Sequence, residues 1–262
     1  MDLNTVLEVC DARDFTGWRT GDAYVGGGTY LFSEPQPHLN RLIDLSRLGW
    51  TPIRWLPNGN LEIAGTCTVA ELFEFTDHPL FEQCCHAFLA SWKIWHMATV
   101  GGNLCNGLPA GPLISLTAAL DGEILLRSPV GVLRWVSVHE FITGAGKKVL
   151  RPGEVLRSVT IPAEALNRRT AFRQASLYGL GRSGALIIGT RDRAGELEIT
   201  VTAATTRPIR VRFRNWPNAA ELRTAIDSAV RPGEWFDDIH GLPEWRRHMA
   251  LLLAEEIRRE LA

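Results

Sequence analysis

Residues 97–106 read Met-Ala-Thr-Val-Gly-Gly-Asn-Leu-Cys-Asn and form the segment of the chain that is most informative about its function. A glycine pair follows Thr99, and the small polar residue Asn103 comes directly after it. Glycine lets a backbone approach a phosphate closely and adopt positive φ, so successive N–H groups can converge on an anion. The segment therefore predicts a backbone phosphate site, to which Thr99 and Asn103 add side-chain donors.

A second glycine cluster, Gly26-Gly27-Gly28-Thr29, lies far upstream and follows the apolar run Ala23–Val25, which reads as a strand. Two such loops on different subdomains would suit a diphosphate held from both sides. From composition alone, two ordinary glycine turns without a ligand are as good an explanation of the two clusters as a diphosphate site.

The composition excludes several classes of protein. The chain has 262 residues, enough for two domains, and a formal net charge of −1, which gives no basic field for nucleic acid or a membrane surface. No apolar run reaches the roughly 20 residues of a membrane span, and the N-terminus lacks signal-peptide features. The five cysteines include no Cys-x-x-Cys pair. They predict reduced thiols, a cytoplasmic location and no iron–sulfur cluster on this chain.

Local patterns predict alternating short strands and helices in the first part of the chain. Asn58-Gly59 joins two apolar runs as a hairpin turn, and Thr68 with Glu71 forms a capping box. Apolar residues at helical spacing predict helices over 80–92 and 112–120. The polar stretch after Pro162 marks the expected domain boundary.

Beyond that boundary the pattern is typical of an antiparallel sheet closed by helices. Gly179-x-Gly181-x-x-Gly184 matches a dinucleotide fingerprint by letter, but a strand follows it, so a hairpin loop is favoured over a nucleotide site. The candidate strands are 172–176, 185–189, 198–202 and 209–213, and the candidate helices are about 219–230 and 243–261.

The glycine segments resemble the two FAD loops in the flavin subunits of molybdenum hydroxylases, the family of xanthine dehydrogenase and carbon monoxide dehydrogenase. Further resemblances follow in the family's order and spacing, so the similarity covers nearly the whole chain. They are Leu42-Ile43-Asp44-Leu45, Ala64-Gly65-Thr66, Pro152-Gly153-Glu154-Val155-Leu156, Ile161-Pro162 and Phe172-Arg173-Gln174-Ala175-Ser176.

This resemblance implies an α+β fold. A two-subdomain FAD-binding domain spans residues 1–166, with subdomains of about 1–58 and 59–166. A C-terminal flavoprotein domain, residues 167–262, then carries an antiparallel three-stranded sheet with helices.

The resemblance also implies the contacts of one FAD. Backbone amides of both loops would bind the diphosphate, the isoalloxazine ring would lie near residues 104–109 and Leu156, and Arg173 would place positive charge beside it. The expected contacts are Gly26, Gly27, Gly28, Thr29, Tyr30, Leu31, Thr99, Gly101, Gly102, Asn103, Leu104, Leu108, Leu156 and Arg173.

The function implied is that of the FAD-binding medium subunit of a heterotrimeric, molybdenum-containing dehydrogenase. Electrons would pass from a large molybdopterin subunit to a small [2Fe-2S] subunit and from there to FAD. FAD would then pass them to NAD, a quinone or oxygen. Two alternatives are a free-standing flavoenzyme of this fold and a flavin-free structural subunit. Departures from the family pattern at Tyr30, His96, Pro112 and Leu177-Tyr178 put the electron acceptor in doubt more than FAD binding.

Overall fold

The first element of the fold is a small parallel sheet of three strands. The computed structural model describes residues 3–262. The strands are β1 (Glu8–Asp11), β2 (Asp22–Val25) and β3 (Arg41–Asp44), in the order β1-β3-β2. β2 ends at Val25, so the first glycine loop leaves directly from its carboxyl end. Arg41 on β3 binds Asp22 on β2 at 2.6 Å and joins two strands of the sheet.

A five-stranded antiparallel sheet follows. Its central strand comes later in the sequence than the other four. In spatial order the sheet contains β4 (Ile53–Trp55), β5 (Leu61–Ala64), β10 (Val155–Ile161), β6 (Glu123–Arg127) and β7 (Leu133–Ser137). The predicted hairpin between β4 and β5 is confirmed, and Gly59 in its turn has φ of +81°.

Helices cover this sheet. They are α1 (Val69–Phe73), α2 (Pro79–His86), α3 (Trp92–Trp95), α4 (Val100–Asn106), α5 (Pro112–Ala119), α6 (Val138–Phe141) and α7 (Ala163–Leu166), with a small hairpin of β8 (Ile142–Gly144) and β9 (Lys147–Lys148). Of these helices, α1, α2 and α5 begin where the sequence predicts. The capping box of Thr68 and Glu71 is confirmed at α1. The single helix predicted over 80–92 is wrong, because the chain turns at Leu89, which has φ of +44°.

The C-terminal region is an antiparallel sheet with two helices. Its strands are β11 (Arg169–Ala175), β12 (Ala185–Arg191), β13 (Leu197–Thr202) and β14 (Ile209–Phe213), in that order, and the helices are α8 (Ala219–Ala229) and α9 (Pro243–Leu261). The sheet therefore has four strands, as the residue pattern predicts, and not the three that the resemblance implied. Gly179, Gly181 and Gly184 lie in the β11–β12 hairpin connection, as expected.

Two hydrophobic clusters lie on opposite faces of the C-terminal sheet. Leu186 and Ile188 of β12 pack with the helices of the first region, whereas Ile187 packs with α8 and α9. This alternation follows from the two-residue period of a strand. Helix α5 is buried along its whole length between the two regions, and Ser115 hydrogen-bonds Thr202 across the junction at 2.6 Å. The junction between the two regions is therefore both packed and hydrogen-bonded.

Candidate functional site

A long groove runs between the parallel sheet and α4, and it has three connected compartments. The central compartment has a volume of about 290 Å³ and is lined by both glycine segments. The second, of about 480 Å³, extends towards β10 and the turn before it, and the third, of about 350 Å³, extends towards the C-terminal region. Asn106 at the end of α4 lines all three. An extended ligand with two ring systems and a charged middle fits this arrangement.

The two glycine segments meet at the central compartment. A β-carbon added at Gly27 would lie 1.4 Å from the carbonyl oxygen of Met97, and one added at Gly26 would lie 2.8 Å from Oγ1 of Thr99. The contact at Gly27 is with backbone and excludes any side chain there, whereas at Gly26 the Thr99 side chain would have to shift. The sequence therefore needs glycine here for backbone packing, and this packing brings both segments to one site.

The first segment keeps its backbone amides available for a ligand. Among residues 3–262, none of the amides of residues 26–30 donates a hydrogen bond to the protein. Gly28 has φ of +69°, which reverses the chain direction there. Successive unpaired amides that line a cavity suit an anionic ligand, because their N–H groups can converge on it.

The second segment is the first turn of α4, and its amides already have acceptors. Gly101 N donates to the carbonyl oxygen of Gly65 at 2.9 Å, and Asn103 N to that of Thr99 at 3.0 Å. Gly102 N donates to Oγ1 of Thr99, the N-cap residue, at 3.1 Å. The expected amide cradle from this segment is therefore not free in the structure. Gly101 instead permits close packing against the backbone of Gly65.

Asn103 supplies the unpaired polar group on this side of the groove. It lines the central and third compartments, and its Oδ1 atom is buried without a hydrogen-bond partner in the structure. Nine in ten or more of the buried polar groups in proteins are paired, so an unpaired amide beside a cavity fits a ligand that completes its bonding. An amide oxygen is an acceptor, so Asn103 fits a hydroxyl or N–H group of the ligand, whereas the free amides of residues 26–30 fit its anionic part. The residues present therefore fit a cofactor that carries a diphosphate together with such donor groups.

Most of the predicted contact residues line the groove. Those in the central or third compartment are Gly26, Gly27, Gly28, Thr29, Tyr30, Leu31, Thr99, Gly102, Asn103 and Leu108. Gly101 and Leu156 line the second compartment. Because Leu108 and Leu156 lie in different compartments, the structure separates two residues that were both expected beside the isoalloxazine ring.

Two predicted residues are not brought to the groove. Leu104 is fully buried in the hydrophobic cluster, because it lies one helical turn after Val100 on the inner face of α4. Arg173 lines none of the three compartments, and its guanidinium pairs with Glu256 and Glu260 of α9 at 3.1 and 2.5 Å. A role for Arg173 beside the ring remains a prediction that would require these ion pairs to break.

Sequence reasoning left other groove residues out of the expected contacts. Asn106 lies within residues 97–106, and its position on the polar face of α4 is the feature that could have identified it as a groove residue. Phe88 and Arg182 had no local signal, because only tertiary packing brings them to the groove. His96 lines none of the three compartments and binds the carbonyl oxygen of Trp92 at 2.9 Å. Cys105 lines the groove, and burial raises the pKa of its thiol to about 11.

The charges around the groove are mainly positive. Lys148 and Arg151 line the second compartment, and Arg182 lines the third. Glu154 also lines the second compartment, but Arg134 binds it at 2.7 Å. The hydrogen bond from Arg134 lowers the pKa of Glu154, so this carboxylate stays ionised and paired. The groove therefore suits an anion and presents no free carboxylic acid from the described residues.

Comparison with known proteins decides the family. Residues 4–164 match the family described as the FAD binding domain in molybdopterin dehydrogenase. The chain belongs to this family. Both glycine segments and all of the five-stranded sheet lie within the matched residues of this molybdopterin dehydrogenase FAD-binding domain. The predicted family and its FAD cofactor are confirmed.

Individual relatives agree with this assignment. The chain is 31% identical over 147 residues to the xanthine dehydrogenase FAD-binding subunit of Escherichia coli O157:H7, covering 53% of this chain and 50% of that protein. It is 25% identical over 191 residues to the carbon monoxide dehydrogenase medium chain of Afipia carboxidovorans, covering 66% and 64%. The matched part thus spans about half the length of the xanthine dehydrogenase subunits.

The fold of the whole chain also has solved counterparts. A chain of the reconstituted CO dehydrogenase from Oligotropha carboxidovorans superimposes with a TM-score of 0.83 at 20% identity, covering all of both chains. This likeness shows the mixed α/β fold alone, and it includes the C-terminal four-stranded sheet. Within residues 3–262, no helix has the length and hydropathy needed to cross a bilayer, and no cluster of three metal-ligating side chains occurs.

Proposed function

We propose that this chain binds one FAD along the groove and serves as the electron-transferring flavoprotein subunit of a molybdenum-containing dehydrogenase. The observation that carries the proposal is the packing of Gly27 against Met97, which joins the two glycine segments at one compartment. Free amides of residues 26–30 would hold the diphosphate, and Oδ1 of Asn103 would accept a hydrogen bond from a hydroxyl or N–H group of the cofactor. The two ring systems of FAD would then occupy the outer compartments.

Bound FAD supplies redox chemistry that no side chain of the groove possesses. The chain itself orients the cofactor and sets its electrostatic surroundings. The cations Lys148 and Arg151 in the second compartment and Arg182 in the third would add positive potential along the groove, and the buried helix α5 contributes Pro112 to the third compartment. Glu154, paired with Arg134, contributes no mobile proton to the groove.

The assembly of subunits is part of this proposal. The names of the relatives, an FAD-binding subunit and a medium chain, support a complex with other chains. The described residues offer no cluster of metal ligands, which supports iron–sulfur and molybdopterin centres on partners. We therefore propose a small [2Fe-2S] subunit and a large molybdopterin subunit as partners, in the cytoplasm, with NAD or another electron acceptor. The five free cysteines support the reducing location.

Flavin analysis of the full chain tests FAD binding. We expect one FAD per chain, released by denaturation and identified by chromatography, and loss of most of it in Gly27→Ala. The matched control is Gly179→Ala, because a β-carbon at Gly179 would meet no atom within 4 Å. A chain purified with no flavin, or with equal flavin in both variants, contradicts the proposal.

Copurification from the native source tests the complex. A tag on this chain should recover two further chains together with iron and molybdenum. Recovery of the chain with neither partner would favour the free-standing flavoenzyme. A colourless chain that nevertheless recovers both partners would identify the flavin-free structural subunit instead.

The domain boundary after residue 166 is also proposed. Family similarity ends at residue 164, and β11 begins at Arg169. Limited proteolysis that cuts near residues 166–168 and leaves two stable fragments would support it. Because Arg168 binds Asp121 at 2.7 Å, however, we expect the junction to resist cleavage until this pair is disrupted.

A further inference from the structure

Aromatic rings form the far end of the second compartment. Trp18 and Tyr24 both line it, and their ring centroids are 5.1 Å apart with planes inclined at 36°. Phe15 contacts both rings edge-on, at 6.5 and 6.0 Å. The sequence places Trp18 in the connection between β1 and β2, with no local signal that it belongs to a ligand site.

The turn before β10 packs on these rings and closes the compartment. A β-carbon at Gly153, which has φ of +76°, would lie 2.8 Å from Cγ of Trp18. The hydroxyl of Tyr24 donates a hydrogen bond to the carbonyl oxygen of Gly153 at 3.2 Å. The aromatic wall is therefore held in place from both the N-terminal sheet and the β10 turn.

Two cations of this compartment have no carboxylate partner. Across residues 3–262, no salt bridge involves Lys148 or Arg151, whereas Arg134 nearby is paired with Glu154. The compartment thus combines a flat aromatic surface with free positive charge. It shares Gly26, Thr99 and Gly102 with the central compartment, so the charge lies beside the expected diphosphate.

We infer that the second compartment holds the adenosine end of FAD and that Trp18 is the residue by which the chain distinguishes FAD from FMN. This inference rests on the proposed function. The third compartment is bordered by the exposed apolar side chains Tyr30, Leu89 and Leu180, which suits a ring that exchanges electrons with another chain. The aromatic compartment then remains for the adenine, because purine bases stack on aromatic side chains.

Ligand binding to the flavin-depleted full chain tests this inference. FAD, FMN and ADP are titrated by calorimetry against the unmodified chain, Trp18→Ala and Trp18→Phe. Trp18→Ala should weaken FAD and ADP about tenfold or more, since stacking of one base contributes on that scale. It should leave FMN binding unchanged, and Trp18→Phe should restore most of the affinity. Trp135→Ala, at an exposed residue of β7, is the matched control and should change nothing.

The outcomes separate this inference from the proposed function. If Trp18→Ala weakens FMN as much as FAD, or leaves FAD and ADP unaffected, the assignment of adenine to this compartment is overturned. If the unmodified chain binds neither FAD nor FMN, the proposed function fails and this inference with it. Should Trp18→Ala not fold, Trp18→Leu, which keeps an apolar side chain but removes the flat ring, answers the same question. It should weaken FAD and ADP more than FMN, and equal effects would overturn the inference.

Discussion

Gly101 lies directly against Gly65, so that its amide donates to the Gly65 carbonyl oxygen at 2.9 Å and a β-carbon on Gly101 would lie 2.6 Å from that oxygen. The contact fixes the first turn of α4 against the end of β5, on the wall shared by the glycine segments. A methyl group at Gly101 must push the two backbones apart, because no flexible side chain is available to move.

We therefore expect Gly101→Ala to reduce the FAD content at least severalfold and to lower the free energy of unfolding by about 1–3 kcal/mol, the usual cost of overpacking. Flavin-to-protein ratio and urea denaturation measure the two effects. Gly179→Ala is the control that adds the same methyl group in open space. Full flavin content in Gly101→Ala would show that the two backbones need not touch.

Asn103 gives a prediction in which stability and binding respond differently. Its Oδ1 atom is buried and unpaired, so Asn103→Ala should leave the stability of the flavin-free chain within about 1 kcal/mol. Loss of the amide should nevertheless weaken FAD severalfold, because a hydroxyl or N–H group of the cofactor would lose its acceptor. Denaturation of the flavin-free chain and an FAD titration check the pair of effects. Unchanged FAD affinity would exclude Asn103 as a ligand contact.

Asp121 joins the two regions of the chain through three arginines. It binds Arg168 at 2.7 Å and Arg210 and Arg212 at 2.9 Å each. Asp121→Asn should lower the free energy of unfolding by about 1–3 kcal/mol, because the largely buried guanidinium of Arg168 then loses its carboxylate, whereas Arg212 keeps Glu198. Asparagine also tolerates the φ of +52° at this position, so backbone strain does not explain a loss.

The control for Asp121 is Asp227→Asn, which breaks the exposed pair with Arg247. Exposed ion pairs contribute less than about 1 kcal/mol. Thermal denaturation at low and at physiological salt compares the two variants. Equal effects would mean that the Asp121 cluster is an ordinary surface network.

His139 makes stability depend on pH. Burial lowers the pKa of His139 to about 4, and its Nε2 atom lies 3.0 Å from the carbonyl oxygen of Ala118. The unfolded chain, with an ordinary histidine pKa near 6.5, takes up this proton first as the pH falls. The contribution to stability is therefore complete above about pH 6.5 and is lost progressively between pH 6.5 and 4, by up to about 3 kcal/mol.

The variant His139→Gln tests this pH dependence, because glutamine can keep the hydrogen bond and does not titrate. Urea denaturation at several pH values between 4 and 7 should give a flatter profile than the unmodified chain. Parallel profiles for the two proteins would assign the acid sensitivity to other groups.

Local signals predicted much of the fold correctly. The turn at Asn58-Gly59, the capping box of Thr68 and the four C-terminal strands each depend on residues close together in sequence. The helix over 80–92 was wrong because the left-handed backbone at Leu89 has no signature of its own in the sequence. The prediction of a three-stranded C-terminal sheet was wrong because it followed the family resemblance, whereas the residue pattern indicated four strands.

The candidate site was predictable only in part, for a similar reason. The glycines identified both segments, yet Leu104 faces the core because the segment is a helix, which sets which residues share a face. Arg173 lies on the face of β11 that packs on α9, where two glutamates bind it. Trp18 contacts the groove only because the β1–β2 connection folds back onto the β10 turn.

The sequence by itself determined which segments are strands and turns, and where a backbone without side chains is required, because these depend on local geometry and on the absence of a β-carbon. The tertiary structure alone decided that Gly27 meets Met97, that the amides of the second segment are already bonded, and which side chains face the groove. The contact of Gly27 with Met97 joins residues 70 positions apart, and the bond from Gly101 to Gly65 joins residues 36 positions apart. The geometry of such contacts is fixed only when the sheets and helices pack together.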